Sequence, residues 1–247
     1  MSKLSDRIRK VTRVEPAPLG FALTAGRGSS PTMLCVVSLS AGEASKALDA
    51  AAKGADAVII DGADARRLKD AAKADGLALG VKPQKAERAA VSALREAGAD
   101  FTVIDPEQTM AEALLEEEMG YVLAVQGDPD DTTLRQLGEM GLDALIVPPP
   151  AAPLTVSRLL ALRRIASLAR TPLLTPVAPD TDGSTLQVLR ECGVAGVILP
   201  SSALGKLQEL VERIAALPPR GHKREAHREV RLPAQAAFGD EDDEDDD

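Results

Sequence analysis

A chain of 247 residues, 45% of them hydrophobic, holds enough apolar side chain for one sizeable core. The formal charge of -9 is uneven: Asp240–Asp247 is an unbroken acid run, and without it 30 acids face 29 bases, which argues against a nucleic-acid-binding body. Cys35 and Cys192 are too few for a disulfide framework and fit a reducing cytoplasm, and no signal peptide or membrane-length apolar run is seen.

In chain order, residues 1–31 read as an N-terminal extension. It holds a short polar helix candidate, Pro16 and Pro18, and the glycine-bearing stretch Thr24-Ala-Gly-Arg-Gly-Ser-Ser. Eight short apolar runs follow: Met33–Ser40, Ala57–Asp61, Leu77–Lys82, Phe101–Asp105, Tyr121–Gln126, Ala144–Val147, Pro172–Val177 and Ala195–Leu199. Each is rich in Val, Ile or Leu with little alternation, the pattern of strands covered on both faces. Eight helix-like segments separate and follow them, with helical spacing in Ala44, Ala47, Leu48 and Ala51, in Ala90, Leu94 and Ala97, and in Leu207, Leu210, Val211 and Ile214. Residues 218–247 begin with two prolines, run through a basic stretch and end in the acids; we read them as a mostly disordered tail.

An internal repeat supports eight strands. Gly54-Ala-Asp-Ala-Val-Ile-Ile-Asp, Gly98-Ala-Asp-Phe-Thr-Val-Ile-Asp, Gly141-Leu-Asp-Ala-Leu-Ile-Val-Pro and Gly193-Val-Ala-Gly-Val-Ile-Leu-Pro align. Each glycine stands where a helix ends and a strand begins, so the unit is a double β/α pair used four times. Alternating strands and helices make a parallel sheet, and eight such units close into a (β/α)8 barrel over residues 32–217. The GxGxxG of an open dinucleotide-binding sheet is absent. Aromatics are 2% of the chain, so branched aliphatics must fill the barrel in layers. The extension, through a strand at Phe21–Thr24, is then placed to cover one barrel mouth.

Barrel sites lie at the C-terminal ends of the strands. Aligning the repeats puts Asp61, Asp105, Pro148 and Pro200 there on even strands, and Ser40, Lys82, Gln126 and Ala178 on odd ones. Asp61 and Asp105 would flank Lys82, which suits acid/base chemistry on an anion. Ser40 and Gln126 would contact the ligand, and Glu107 and Asp128 would orient it or hold a hydrated Mg²⁺. The competing structural reading is an ion pair, with Asp61 and Asp105 capping the segments that follow. Arg27, between two glycines, offers a further anion contact. His222 and His227 both lie in the tail, so a histidine triad or His-ligated zinc inside the barrel is not expected.

Strand 8 runs into Pro200-Ser201-Ser202-Ala203-Leu204 and then a helix. This resembles the strand-8 end of the phosphate-binding barrels, the ribulose-phosphate-binding and flavin-mononucleotide-linked superfamilies. The resemblance implies a phosphate, or the phosphate of flavin mononucleotide, at Ser201 and Ser202. The chain departs from that pattern where proline, which has no N–H, replaces the glycine at Pro200 and where Pro176-Val-Ala-Pro179 follows strand 7.

Two functions fit these residues. One is an enzyme of lyase or isomerase type acting on a small anionic or phosphorylated metabolite in the cytoplasm. The other is a barrel that binds a ligand or a protein partner without catalysis, the acidic tail being the contact element. Neither involves a membrane.

Overall fold

The computed structural model describes residues 2–13, 32–69, 71–74 and 76–218. Eight strands, β1 (Leu34–Ser40), β2 (Ala57–Asp61), β3 (Ala78–Lys82), β4 (Phe101–Ile104), β5 (Gly120–Ala124), β6 (Ala144–Ile146), β7 (Leu173–Pro176) and β8 (Val194–Pro200), form a closed barrel in sequence order. All pairings are parallel, including β8 back to β1. The protein is a (β/α)8 barrel, and each expected strand is present to within two residues at its ends.

The crossovers differ from expectation in two places. Six strands are followed by α-helices: α2 (Ala47–Ala52), α3 (Arg88–Glu96), α4 (Asp131–Glu139), α5 (Val156–Ala169), α6 (Gly183–Glu191) and α7 (Leu207–Ala215). After β2 and β4 the chain makes only 3-10 turns, at Ala65–Leu68 and Ala71–Lys73 and at Ala111–Leu115. The second of these crossovers is held from outside. The Tyr121 hydroxyl donates to the carbonyls of Ala113 (2.6 Å) and Glu116 (3.1 Å), and the Glu116 carboxylate pairs with Arg95 on α3 (3.1 Å). Side chains of β5 and α3 thus anchor that turn against the barrel. Among the described residues no helix is long and apolar enough to cross a membrane.

The repeat is visible in the backbone. Gly54, Gly98, Gly141 and Gly193 all have φ between +70° and +100°, the left-handed region that ends a helix at little cost only for glycine. Three of the four units carry aspartate two residues later, and all three aspartates serve one purpose. They hold α1 (Lys3–Thr12) across the N-terminal mouth. Asp100 accepts the Lys3 and Leu4 N–H groups at 2.7 and 3.0 Å. Asp143 accepts the hydroxyl of Ser2, which itself caps the helix through the Ser5 N–H. Asp56 pairs with Arg7 at 2.9 Å and accepts the Cys35 N–H. Carboxylates at a helix N-terminus meet unpaired N–H groups and the positive end of the dipole. Burial raises the carboxyl pKa values of both Asp56 and Asp143.

The helix read as polar from sequence is amphipathic. Leu4, Ile8 and Val11 are buried and join the barrel interior with Leu34, Val36, Ala57, Ile59, Ala78, Phe101, Val103, Val122, Ala144, Leu174, Ala195 and Ile198. The opposite faces of the strands pack on the surrounding helices as a larger apolar layer. The expected strand at Phe21–Thr24 lies outside the described residues, as does the tail beyond Pro218.

Candidate functional site

With the N-terminal mouth plugged, the opening that remains is at the C-terminal ends of the strands. There a cavity of about 1010 Å³ sits on the barrel interior. That is at the large end of the range for small-molecule sites. Its floor is Ser38, Ile59, Val103, Ala124, Ile146 and Ile198, side chains from six strands. One wall is apolar, built from Pro149–Leu154 after β6, from Pro176, Val177 and Ala178, and from Pro200. Besides Ser38 on the floor, the polar groups stand at two places: Asp61 and Lys82 on β2 and β3, and Asp180, Thr181, Asp182 and Thr185 from the end of β7 into the first turn of α6.

Asp61 and Lys82 are register partners on adjacent strands, and both line the cavity. Side chains at such positions stand about 5 Å apart. Lys82 is half-buried, and its ammonium has no ion-pair or hydrogen-bond partner among the described residues. The structure thus brings these two residues together. Asp61 does not cap the segment that follows it. Asp64 does, through the Arg67 N–H (3.3 Å).

Asp105 does not join Asp61 and Lys82 around the cavity, and the barrel's stagger is the reason. β3 pairs with β4 through Gly80 to Phe101 and Val81 to Thr102. One further step places Lys82 beside Val103, so Asp105 stands two residues higher. Residues equivalent in the repeat are therefore not level in the barrel, because closure requires successive strands to shift in register. Asp105 has other partners: it accepts the Gln126 amide at 2.6 Å and the Glu107 N–H at 2.9 Å. Gln126 and Glu107 are exposed at that rim and line no part of the cavity. Asp128 pairs with Arg164 at 2.5 Å, beside the Arg164–Asp131 pair at 2.6 Å, and so ties α4 to α5. Among the described residues no three His, Cys, Asp or Glu side chains gather closely enough to hold a metal ion.

The turn after β8 holds an anion of the chain's own. The Glu43 carboxylate takes the Lys46 ammonium (2.6 Å), the Ser40 hydroxyl (2.9 Å) and the Ser40 N–H (3.3 Å), and lies within reach of the Ser201 hydroxyl. The hydrogen bond from Lys46, then those from the serines, hold its pKa down to about 2. Glu43 is ionised at every pH above that. Its stabilising contribution is complete above the ordinary carboxylate value and is lost only as pH falls toward 2. A fixed carboxylate, beside a proline with no N–H, does not suit a phosphate or a phosphate-anchored flavin at Ser201. Ser202 is exposed next to it, and Arg27 lies outside the described residues. Glu43→Gln removes the charge and frees Lys46. That variant is expected to bind inorganic phosphate about tenfold more tightly than the parent by phosphorus NMR titration. Equal affinity in the two proteins would show that Glu43 does not block this turn.

Five polar cavity residues, Ser38, Asp180, Thr181, Asp182 and Thr185, are not legible as site residues in the sequence. Ser38 was hidden inside an apolar run, although it is two residues from Ser40 and so faces the same way. Asp180, Asp182 and Thr185 follow β7. Asp182 precedes Gly-Ser-Thr, an N-cap signal. It caps α6 through the Thr185 N–H (2.8 Å) and hydroxyl (2.9 Å) and the Ser184 hydroxyl, which hold its pKa down to about 2. Cys35 is buried, and burial pushes its thiol up to about 12, so it is no nucleophile.

No protein-family model matches this chain, and no curated protein matches it significantly. Solved structures do match. A chain of the tryptophan synthase α2β2 complex from Pyrococcus furiosus aligns with a TM-score of 0.59 at 14% identity, over 73% of this chain and 97% of that one. An HpcH/HpaI aldolase/citrate lyase family protein from Burkholderia cenocepacia aligns with 0.56 at 15%, over 86% and 97%. Thiamine phosphate pyrophosphorylase from Pyrococcus furiosus aligns with 0.54 at 16%, over 74% and 98%. At such identities the likeness is one of fold: the chain is a (β/α)8, or TIM-barrel, protein.

Proposed function

We propose that the C-terminal mouth of the barrel binds a small anionic metabolite and acts on it by acid/base chemistry of lyase or isomerase type. Lys82 holds the oxyanion, and Asp61, its register neighbour, accepts or returns a proton beside it. The observation that carries this reading is the unpartnered Lys82 ammonium next to Asp61 in a large apolar cavity. In low-polarity surroundings a lone cation attracts an anion more strongly than it does in water. The neighbouring folds are those of a synthase, an aldolase/lyase family protein and a pyrophosphorylase, which is compatible with such chemistry but does not select it. Carboxylates fit better than phosphate esters, because Glu43 occupies the strand-8 turn.

A thermal-shift panel of 2-oxo acids, dicarboxylates, sugar phosphates, flavin mononucleotide and Mg²⁺ tests the reading. A ligand at one hundred times its Kd adds about 2.7 kcal/mol, a rise of roughly 5–11 °C for a chain of this size. Carboxylates are expected to raise Tm, and Lys82→Met is expected to abolish the rise without lowering the Tm of the free protein. A rise that survives Lys82→Met refutes the assignment. The second reading, a barrel that binds without catalysing, is favoured by the filled strand-8 turn. It predicts the same binding with no change in the ligand over hours, as followed by proton NMR.

A further inference from the structure

The cavity's charges stand in two groups, Asp61 and Lys82 on β2 and β3, and Asp180 and Asp182 after β7. Lys82 stands on β3, and Asp180 follows β7, four strands away in a closed barrel of eight and thus across the mouth. Both line the cavity, Lys82 half-buried and Asp180 exposed, and neither side chain has an ion-pair or hydrogen-bond partner among the described residues. The other acids are placed differently: Asp182 is saturated as the cap of α6, and Asp61 is beside Lys82. Between the poles the lining is Ile146, Ile198, Val177, Ala178 and the Pro149–Leu154 wall, with no aromatic ring. Such a wall accommodates an aliphatic body and offers no stacking surface to a nucleobase or flavin.

We infer that the ligand is bipolar: an aliphatic molecule with a carboxylate at one end, held by Lys82, and an ammonium at the other, held by Asp180. The inference rests on the proposed role of Lys82 and adds the second pole. An apolar cavity with opposite charges on opposite walls selects against two alternatives. A monocarboxylate makes no use of Asp180, which is exposed and stays in water, and a dicarboxylate puts like charge against it. A bipolar ligand matches both walls. Each methylene that the wall covers tightens binding about fourfold, until the chain exceeds the span between the poles.

Isothermal titration with three matched series separates the alternatives: straight-chain ω-amino carboxylates, monocarboxylates and dicarboxylates of five to twelve carbons. The amino carboxylates are expected to bind at least tenfold more tightly than monocarboxylates of equal length, with an optimum length and with the dicarboxylates weakest. Asp180→Asn is expected to remove the advantage of the amino series while leaving the monocarboxylates unchanged. Lys82→Met is expected to weaken all three. Monocarboxylates that bind as tightly as amino carboxylates at every length overturn the second pole and leave the Lys82 site standing, as does an amino-series advantage that persists in Asp180→Asn. Insensitivity of every series to Lys82→Met overturns the anion site itself. No binding by any series overturns both.

Discussion

Replacing Phe101 with alanine is expected to lower the unfolding free energy by about 4 kcal/mol and Tm by roughly 8–16 °C. Phe101 is fully buried and is the aromatic ring in an interior otherwise made of Leu, Val, Ile and Ala. It fills the place left by Gly80 on the neighbouring strand. A Cβ on Gly80 would lie 2.1 Å from the ring, closer than any real contact. The two residues are therefore one packing unit, split between β3 and β4 and joined by their register pairing. Gly80→Ala alone overpacks the interior and costs about 3 kcal/mol. In a Phe101→Leu background the added methyl meets a smaller, more adaptable side chain. The double variant is expected to be more stable than the sum of the single losses predicts, by at least 1 kcal/mol. Urea denaturation of the four proteins measures this, and simple additivity would show that the ring and Gly80 pack independently.

Leu4→Ala is expected to cost about 3 kcal/mol and to leave the unfolding a single transition. Leu4 is fully buried at the N-terminal mouth, and its helix carries Ile8 and Val11 into the same interior cluster. If α1 were a separate attachment, its loss would leave the barrel's own transition in place. The bonds to Asp56, Asp100 and Asp143 tie it instead to the start of three strands. Loss of packing in α1 then reports on the whole barrel. A measured cost below 1 kcal/mol, or a separate low-temperature transition, would mean that the plug melts by itself.

The glycines of the repeat and the aspartates after them show how unevenly the sequence can be read. Gly54, Gly98, Gly141 and Gly193 announced helix ends, because a positive φ is a local requirement that one residue type meets. Asp56, Asp100 and Asp143 carried no such sign. What they bind is the helix Lys3–Thr12, nearest in sequence to Asp56 and more than a hundred residues before Asp143. Asp128, read as a ligand-site residue, belongs to a surface ion pair with Arg164. Glu43, passed over, stands at the strand-8 turn because folding brings Ser201, more than 150 residues later, within reach of its carboxylate.

By itself the sequence determined the eight strands, their order and the end of the barrel at which a site would lie, since apolar runs and glycine stops are properties of neighbouring residues. It also placed Lys82 and Asp61 at that end. The tertiary structure alone decided which end residues share a cavity. Barrel closure shifts each strand against the next, so Asp105, the repeat equivalent of Asp61, rises away while Asp180, after β7, lines the same cavity as Lys82. Register and shear are relations between distant segments, and no local pattern encodes them.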